Sequence, residues 1–115
     1  MPIIDTRQLL EQIEGDDDLL QETSTMLCEE AEQAISRLQQ ALASSDLAQL
    51  KSEAHSVKGM LSNFFADAAC ETAYKLECLQ DSSDFSAVNV LLEQLQQQMA
   101  TMQGELQQLI ASRAS

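Results

Sequence analysis

The only histidine of the chain, His55, has Lys51 four residues before it and Lys58 three residues after it. The protein as a whole is short of positive charge, with 6 Lys and Arg against 19 Asp and Glu and a formal net charge of -13. An imidazole is a nucleophile and a proton carrier near neutral pH, and ammonium groups stabilise anions that come close to it. Two of the 6 cations thus stand beside the side chain best able to do such chemistry.

Helical geometry places these residues on one exposed face. At roughly 100° per residue, His55 points about 130° away from the mean direction of the apolar stripe of its helix. The residues within about 60° of it are Lys51, Ser52, Lys58, Gly59 and Ser62. Glycine inside a helix costs about 0.5–1 kcal/mol relative to alanine, so Gly59 indicates that something approaches the backbone there. The sequence predicts an exposed imidazole between two ammonium groups.

Together these residue types fit a site that accepts phosphate. A neutral imidazole nitrogen can attack phosphorus and form a covalent phosphohistidine, while the lysines offset the negative charge that arrives. Each residue also has a plainer interpretation, because an exposed histidine flanked by lysines also occurs on ordinary solvated helix faces. The chain has no Gly-rich nucleotide loop and no set of acids converging on a metal beside His55. A partner would therefore have to supply the transfer machinery.

The elements that position this face are predicted to be helices, because the chain is rich in Leu, Gln, Glu and Ala and has only 1 Pro and 3 Gly. A short first helix is capped by Asp5 or Thr6 and ends at Gly15. Acids at 16–18 open a second helix, where the helix dipole favours negative charge. Its apolar spacing predicts one buried face, formed by Leu20, Thr23, Leu27, Ala31, Ala34, Leu38 and Ala41.

Three more helices follow, and the first of these, the third helix of the chain, is capped by Ser44 or Ser45. The expected stripe of the third helix is Leu47, Leu50, Ala54, Val57, Leu61 and Phe64. A fourth helix over 67–80 buries Ala69, Ala73 and Leu76, and a turn at 81–84 follows it. The last helix buries Phe85, Val88, Leu92, Leu95, Met99, Met102, Leu106 and Leu109, with Gly104 lowering its stability by ~1 kcal/mol against alanine. We expect an all-α fold in a single domain of residues 1–115: an antiparallel four-helix bundle with a short additional N-terminal helix packed across one end.

The overall charge and the apolar pattern disfavour several classes of partner. Phosphate backbones and anionic membranes need clustered Lys and Arg, so neither nucleic acid nor a membrane is expected as a partner. No apolar run approaches the ~20 residues that span a bilayer, and no signal peptide is visible. Cys28, Cys70 and Cys78 lack the C-x-x-C spacing, which predicts reduced thiols in a cytoplasmic protein. Met1 and a full set of helices favour a free-standing chain.

The segment AHSVKG, residues 54–59, resembles the A-H-x-[hydrophobic]-K-G signature of histidine-containing phosphotransfer (HPt) domains of two-component phosphorelays. The segment GDDDLLQE resembles the opening of the second helix of that family. SSDLAQLKSEAHSVKG is similar to the helix with the active histidine, and NFFADAACETAYKLE to the passage after it. The resemblance implies that His55 accepts the phosphoryl group, that Lys58 steadies it, and that Gly59 permits close approach.

The same resemblance implies the partners. Phosphate would pass between His55 and an aspartate of response-regulator receiver domains, with a hybrid sensor histidine kinase as a further candidate partner. Mg²⁺ and the catalytic acids would belong to the receiver, so the chain would need no cofactor of its own and would be a monomeric carrier rather than an enzyme. Lys51 and Ser62 are secondary site candidates, and Ser52 and Phe65 are candidates for docking the partner.

Two departures from the family pattern stand out, and one alternative function stays open. Val57 replaces a common leucine, and Phe65 replaces a common glycine, so either the turn is built differently or Phe65 is partly exposed and helps docking.

The alternative function is a helical adaptor that binds receivers or other helices without covalent transfer. A di-iron enzyme needs two Glu-x-x-His pairs and fails with 1 histidine, and zinc fails because the cysteines lack ligand spacing.

Overall fold

The computed structural model describes residues 2–79 and 85–114, and within these ranges the chain forms five α-helices and no strand. The helices are α1 (Thr6–Gln12), α2 (Asp17–Ala43), α3 (Leu47–Ser62), α4 (Asp67–Glu77) and α5 (Phe85–Ala114). The all-α class and the short N-terminal helix predicted from the sequence are confirmed. The predicted turn at 81–84 lies outside the described residues.

Aspartates cap the first three helices. The side chains of Asp5, Asp16 and Asp46 accept hydrogen bonds from the backbone N–H groups three residues later, at 3.0–3.1 Å. Each carboxylate satisfies an N–H group that has no partner inside the helix and also faces the positive end of the dipole. The prediction of Ser44 or Ser45 as the cap of α3 was wrong. Ser44 ends α2, and Ser45 makes the turn with φ at 52°.

The four long helices enclose one aliphatic core through a closed set of neighbours. Helix α2 packs against α3 and α5, and α4 packs against the same two helices. The N-terminal segment is tied to this assembly by hydrogen bonds. The N–H groups of Ile3 and Ile4 donate to the Glu105 carboxylate at 2.8 and 2.9 Å, and the Asp5 N–H donates to the Phe65 carbonyl at 3.1 Å. This places residues 3–5 between α5 and the turn that joins α3 to α4.

The apolar periodicity located most of the core, and the structure corrects the prediction at several residues. On α2 the buried side chain is Ser24 rather than Thr23, whose hydroxyl donates to the Leu19 carbonyl. Leu47 and Leu109 are half-buried, because each lies near the end of its helix. Helix α4 ends at Glu77 rather than at 80, and it also buries Thr72.

The turn from α3 to α4 contains Phe65 in a left-handed backbone conformation, with φ at 54°. Glycine takes this conformation without a steric penalty, whereas a residue with a side chain pays for it. Phe65 therefore gives the turn the shape that glycine would give. Its ring is half-buried against the core beside the fully packed Phe64, so the packing offsets part of that cost.

Candidate functional site

His55 projects from the outer face of α3. Its side chain is 68% exposed, while Ala54, Val57 and Leu61 on the opposite side of the helix are buried. The exposed orientation expected from helical geometry is confirmed. The imidazole is thus available to a partner and plays no part in the core.

A residue that the sequence analysis missed, Glu77 at the end of α4, joins His55 to Lys58. One carboxylate oxygen of Glu77, Oε1, lies 2.6 Å from Nδ1 of His55. The other oxygen, Oε2, lies 2.7 Å from Nζ of Lys58. The second contact is an ion pair by distance, although its angles fall outside those of a directed hydrogen bond. A single carboxylate therefore holds both residues.

The charges of this group depend on one another. Contact with Lys58, and then with His55, lowers the pKa of Glu77 below its ordinary 4.5, against the opposing effect of burial. The same carboxylate raises the pKa of Lys58 above its ordinary 10.5. The stabilisation from Glu77 is present above pH 4.5 and is lost as the pH falls through the lowered value. That from Lys58 is present below pH 10.5 and is lost as the pH rises through the raised value, so the pair stays ionised at neutral pH.

An ionised carboxylate only accepts hydrogen bonds, and this determines which ring nitrogen of the neutral imidazole carries the proton. Nδ1 of His55 must donate to Oε1 of Glu77, so the ring proton stays on Nδ1. In the neutral ring, Nε2 is then left with a free lone pair. The site presents a nucleophilic nitrogen, held in one tautomer, beside an ammonium group.

We expect removal of Glu77 to release this tautomer. In the wild type at neutral pH, the neutral ring of His55 should carry its proton on Nδ1, and Glu77→Ala should shift the population toward Nε2–H. Long-range proton–nitrogen NMR correlations of the imidazole distinguish the two forms. Glu77→Gln is the matched control, since its amide oxygen can still accept from Nδ1. A wild-type ring protonated mainly on Nε2 would contradict the geometry.

The remaining residues predicted for the site differ in their exposure, their contacts and their distance from His55. Lys51 is half-buried and, among the residues that the structure describes, forms no ion pair, so Lys58 is the lysine connected to His55. Lys58 is thus joined to His55 through Glu77, and a role for Lys51 at the site stays a prediction. Ser52 is exposed, and Ser62 donates its hydroxyl proton to the Gly59 carbonyl at 2.8 Å. Phe65 lies beyond the end of α3, at least about 10 Å along the helix axis from His55.

Gly59 is exposed one turn after His55. A Cβ placed on it would meet no atom within 4 Å, other than its chain neighbours and the backbone of its own helix. The packing of this chain therefore gives no reason for a glycine at that position. In the part of the chain that the structure describes, no group of three His, Cys, Asp or Glu side chains could hold a metal ion. Of the helices in that part, none is long and apolar enough to span a bilayer.

Comparison with protein families places this site in a known context. The family model for the Hpt domain matches residues 22–112, which include α3, α4 and most of α2 and α5. Comparison with curated proteins and with solved structures gave no significant match. The matched segment covers most of the chain and contains His55, Lys58, Gly59 and Glu77. The chain belongs to the Hpt domain family.

Proposed function

We propose that the protein is a reversible phosphoryl carrier of a phosphorelay, with His55 as the residue that is charged and discharged. The observation that carries this proposal is the exposed imidazole whose Nδ1 contacts Glu77 at 2.6 Å, which leaves Nε2 free toward solvent. Membership of the Hpt family supports it, because Hpt domains are phosphocarrier modules that interact with receiver domains.

The charging step is a transfer between two atoms. The lone pair of Nε2 forms the N–P bond while the bond from phosphorus to the aspartyl oxygen of the receiver breaks, and the aspartate leaves as a carboxylate. The proton stays on Nδ1, so the phosphorylated ring carries a positive charge that faces Glu77. Discharge reverses these changes, and the electron pair of the N–P bond returns to Nε2. Because Nδ1 keeps its proton, the leaving group is neutral imidazole rather than an imidazolate anion.

Lys58 and Gly59 serve this step in different ways. The Glu77 carboxylate contacts both residues and so holds Nζ of Lys58 near the imidazole. From there the ammonium group can stabilise the incoming phosphoryl oxygens. Because Gly59 has no side chain, the partner can approach the helix backbone one turn from His55. Lys51, Ser62, Ser52 and Phe65 remain weaker candidates, the first two for the phosphoryl group and the last two for docking.

Two glycines offer a matched test of the role of Gly59. Gly59 and Gly104 both lie inside helices, are exposed, and have open space where a Cβ would stand. Alanine at either position should therefore raise the free energy of unfolding by about 0.5–1 kcal/mol. Only Gly59→Ala should also slow phosphoryl transfer, by roughly five- to tenfold, because its methyl group meets the docked partner.

Thermal or denaturant unfolding and transfer rates of the two variants decide this point. Gly104→Ala should be more stable than the wild type and transfer at the wild-type rate. A Gly59→Ala protein that is stabilised and transfers normally would contradict the proposed reason for this glycine.

The partner we propose is a response-regulator receiver domain, with a hybrid sensor histidine kinase as a second candidate. Receiver domains would supply Mg²⁺ and the acids around it, so the chain itself would act without a cofactor and without turnover of its own. We further propose a monomeric, single-domain protein over residues 1–115. The cytoplasmic location expected from the sequence stays a prediction.

We infer that α2, α3, α4 and α5 form an antiparallel four-helix bundle. The closed set of helix neighbours supports this arrangement, as do the four residues that join α3 to α4. The contacts between α3 and α4 also support it, since a later residue of α3 meets an earlier residue of α4. Lys58 contacts Tyr74, whereas His55 contacts Glu77.

Discharge to receivers tests the proposed function. The protein would be charged with labelled phosphoramidate, purified, and mixed with receiver domains in the presence of Mg²⁺ or of EDTA. We expect label to pass to at least one receiver with Mg²⁺ and to stay on the protein with EDTA. Label that leaves the protein at the same rate with and without receivers would overturn the carrier function.

A further inference from the structure

The only tyrosine of the chain lies beside the site. Tyr74 is on α4, one turn before Glu77, and the residue is 53% exposed. Nζ of Lys58 lies 5.0 Å from the centre of its ring. The ring is therefore not part of the core, and it contacts the lysine of α3 that also contacts Glu77.

A ring face attracts an ammonium group within about 6 Å through its quadrupole. Lys58 is thus held by two different contacts, the Glu77 carboxylate at 2.7 Å and the Tyr74 ring at 5.0 Å. The lysine side chain is a flexible four-carbon stem, so each contact removes positions that the ammonium group could otherwise occupy.

The two contacts should respond differently when His55 is charged. The phosphoryl oxygens are anions and compete with Glu77 for the ammonium group. The tyrosine ring carries no net charge and attracts the ammonium group whether or not Glu77 also holds it. As the ammonium group turns from Glu77 to the phosphoryl group, the ring still attracts it and limits the positions that it can take.

We propose that Tyr74 is a positioning residue that holds Lys58 beside His55 during phosphoryl transfer. This inference rests on the proposed carrier function and adds a residue to the site. Tyr74 acts through Lys58 and need not touch the phosphoryl group. The attraction to Lys58 needs the aromatic ring and not the hydroxyl group.

Two substitutions separate the ring from the hydroxyl. Tyr74→Phe keeps the aromatic face and loses only the hydroxyl group, whereas Tyr74→Leu removes the face and keeps an apolar side chain. We expect Tyr74→Leu to slow transfer by about two- to fivefold and Tyr74→Phe to transfer at nearly the wild-type rate. In a Lys58→Ala background, Tyr74→Leu should cause no further loss, because the group that it positions is absent.

A second readout observes the contact without any transfer. The methylene protons next to Nζ of Lys58 should show a ring-current shift in NMR spectra of the wild type and Tyr74→Phe, and lose it in Tyr74→Leu. An unchanged shift in Tyr74→Leu, or an equal rate loss with and without Lys58, would overturn the positioning role. If the wild type accepts phosphate and Tyr74→Leu matches it, only this inference fails. If the wild type accepts none, the proposed function fails and this role fails with it.

Discussion

His55→Gln should abolish phosphoryl acceptance and leave the fold intact. Glutamine has no nitrogen lone pair able to attack phosphorus, so no phosphoramidate bond can form. Its amide can still donate to Glu77, so the neighbouring contacts need not collapse. Because the His55 side chain is 68% exposed, its replacement removes little buried surface. Label incorporated from a charged receiver and a thermal melt of the same sample measure both halves of this prediction.

Ser56→Ala is the matched control for His55→Gln. Ser56 is the exposed residue next to His55 on α3, and its hydroxyl donates only weakly to the Ser52 carbonyl, at 3.4 Å. This variant should accept phosphate as the wild type does. Label on His55→Gln at wild-type levels would show that another residue is the acceptor. An unfolded His55→Gln protein would contradict the exposed orientation of the side chain.

Lys58→Ala should slow phosphoryl transfer on the order of a hundredfold. Removing one preorganised group that stabilises charge in an enclosed active site costs about 10²–10³ in rate, and the half-buried Lys58 belongs at the lower end of that range. A second effect acts in the same direction. Without the ammonium group, the Glu77 carboxylate loses its cation and repels the phosphoryl oxygens that approach Nε2.

Lys51→Ala is the control for this prediction. Lys51 lies on the same helix, one turn before His55, and its replacement by alanine removes the same charge. This substitution should change the transfer rate only a few-fold, because it alters only the overall electrostatic field of the protein. Single-turnover transfer from a charged receiver, followed for both variants, gives the comparison. Equal losses in the two variants would mean that Lys58 contributes only net charge and has no specific place at the site.

The sequence carried enough information for the helices and for the orientation of the histidine. Apolar residues at steps of three and four identify buried faces, because a helix repeats every 3.6 residues and must cover one side. The same periodicity put His55 on the opposite side of α3. These predictions held because each depends on one helix at a time.

Glu77 was missed because it reaches the site from a second helix. Within α4 it is one acid among many, and the spacing along a single helix says nothing about what faces it. The short turn between the helices does contain a signal. His55 and Glu77 each lie eleven residues from Ala66, and Lys58 and Tyr74 each lie eight residues from it. Residues at similar distances from a tight turn lie near each other in a helical hairpin, so this count would have narrowed the search for partners on α4.

Local competition explains the smaller errors. Ser44, Ser45 and Asp46 could each cap a helix, and only the packed backbone decides that Ser44 ends α2 while Asp46 begins α3. The left-handed conformation of Phe65 was not predicted, because the residue that usually indicates this conformation is glycine. In both cases tertiary packing overrides the preference of the individual residue.

The most direct test of the central claim is transfer of label from charged receivers to this protein. Receiver domains would be phosphorylated with a small labelled phosphodonor and mixed with the wild-type chain. We expect label on the chain that acid removes and alkali does not, as for a phosphoramidate on His55. No label from a broad panel of receivers, with binding still detectable, would contradict the carrier and leave an adaptor that binds receivers without accepting phosphate.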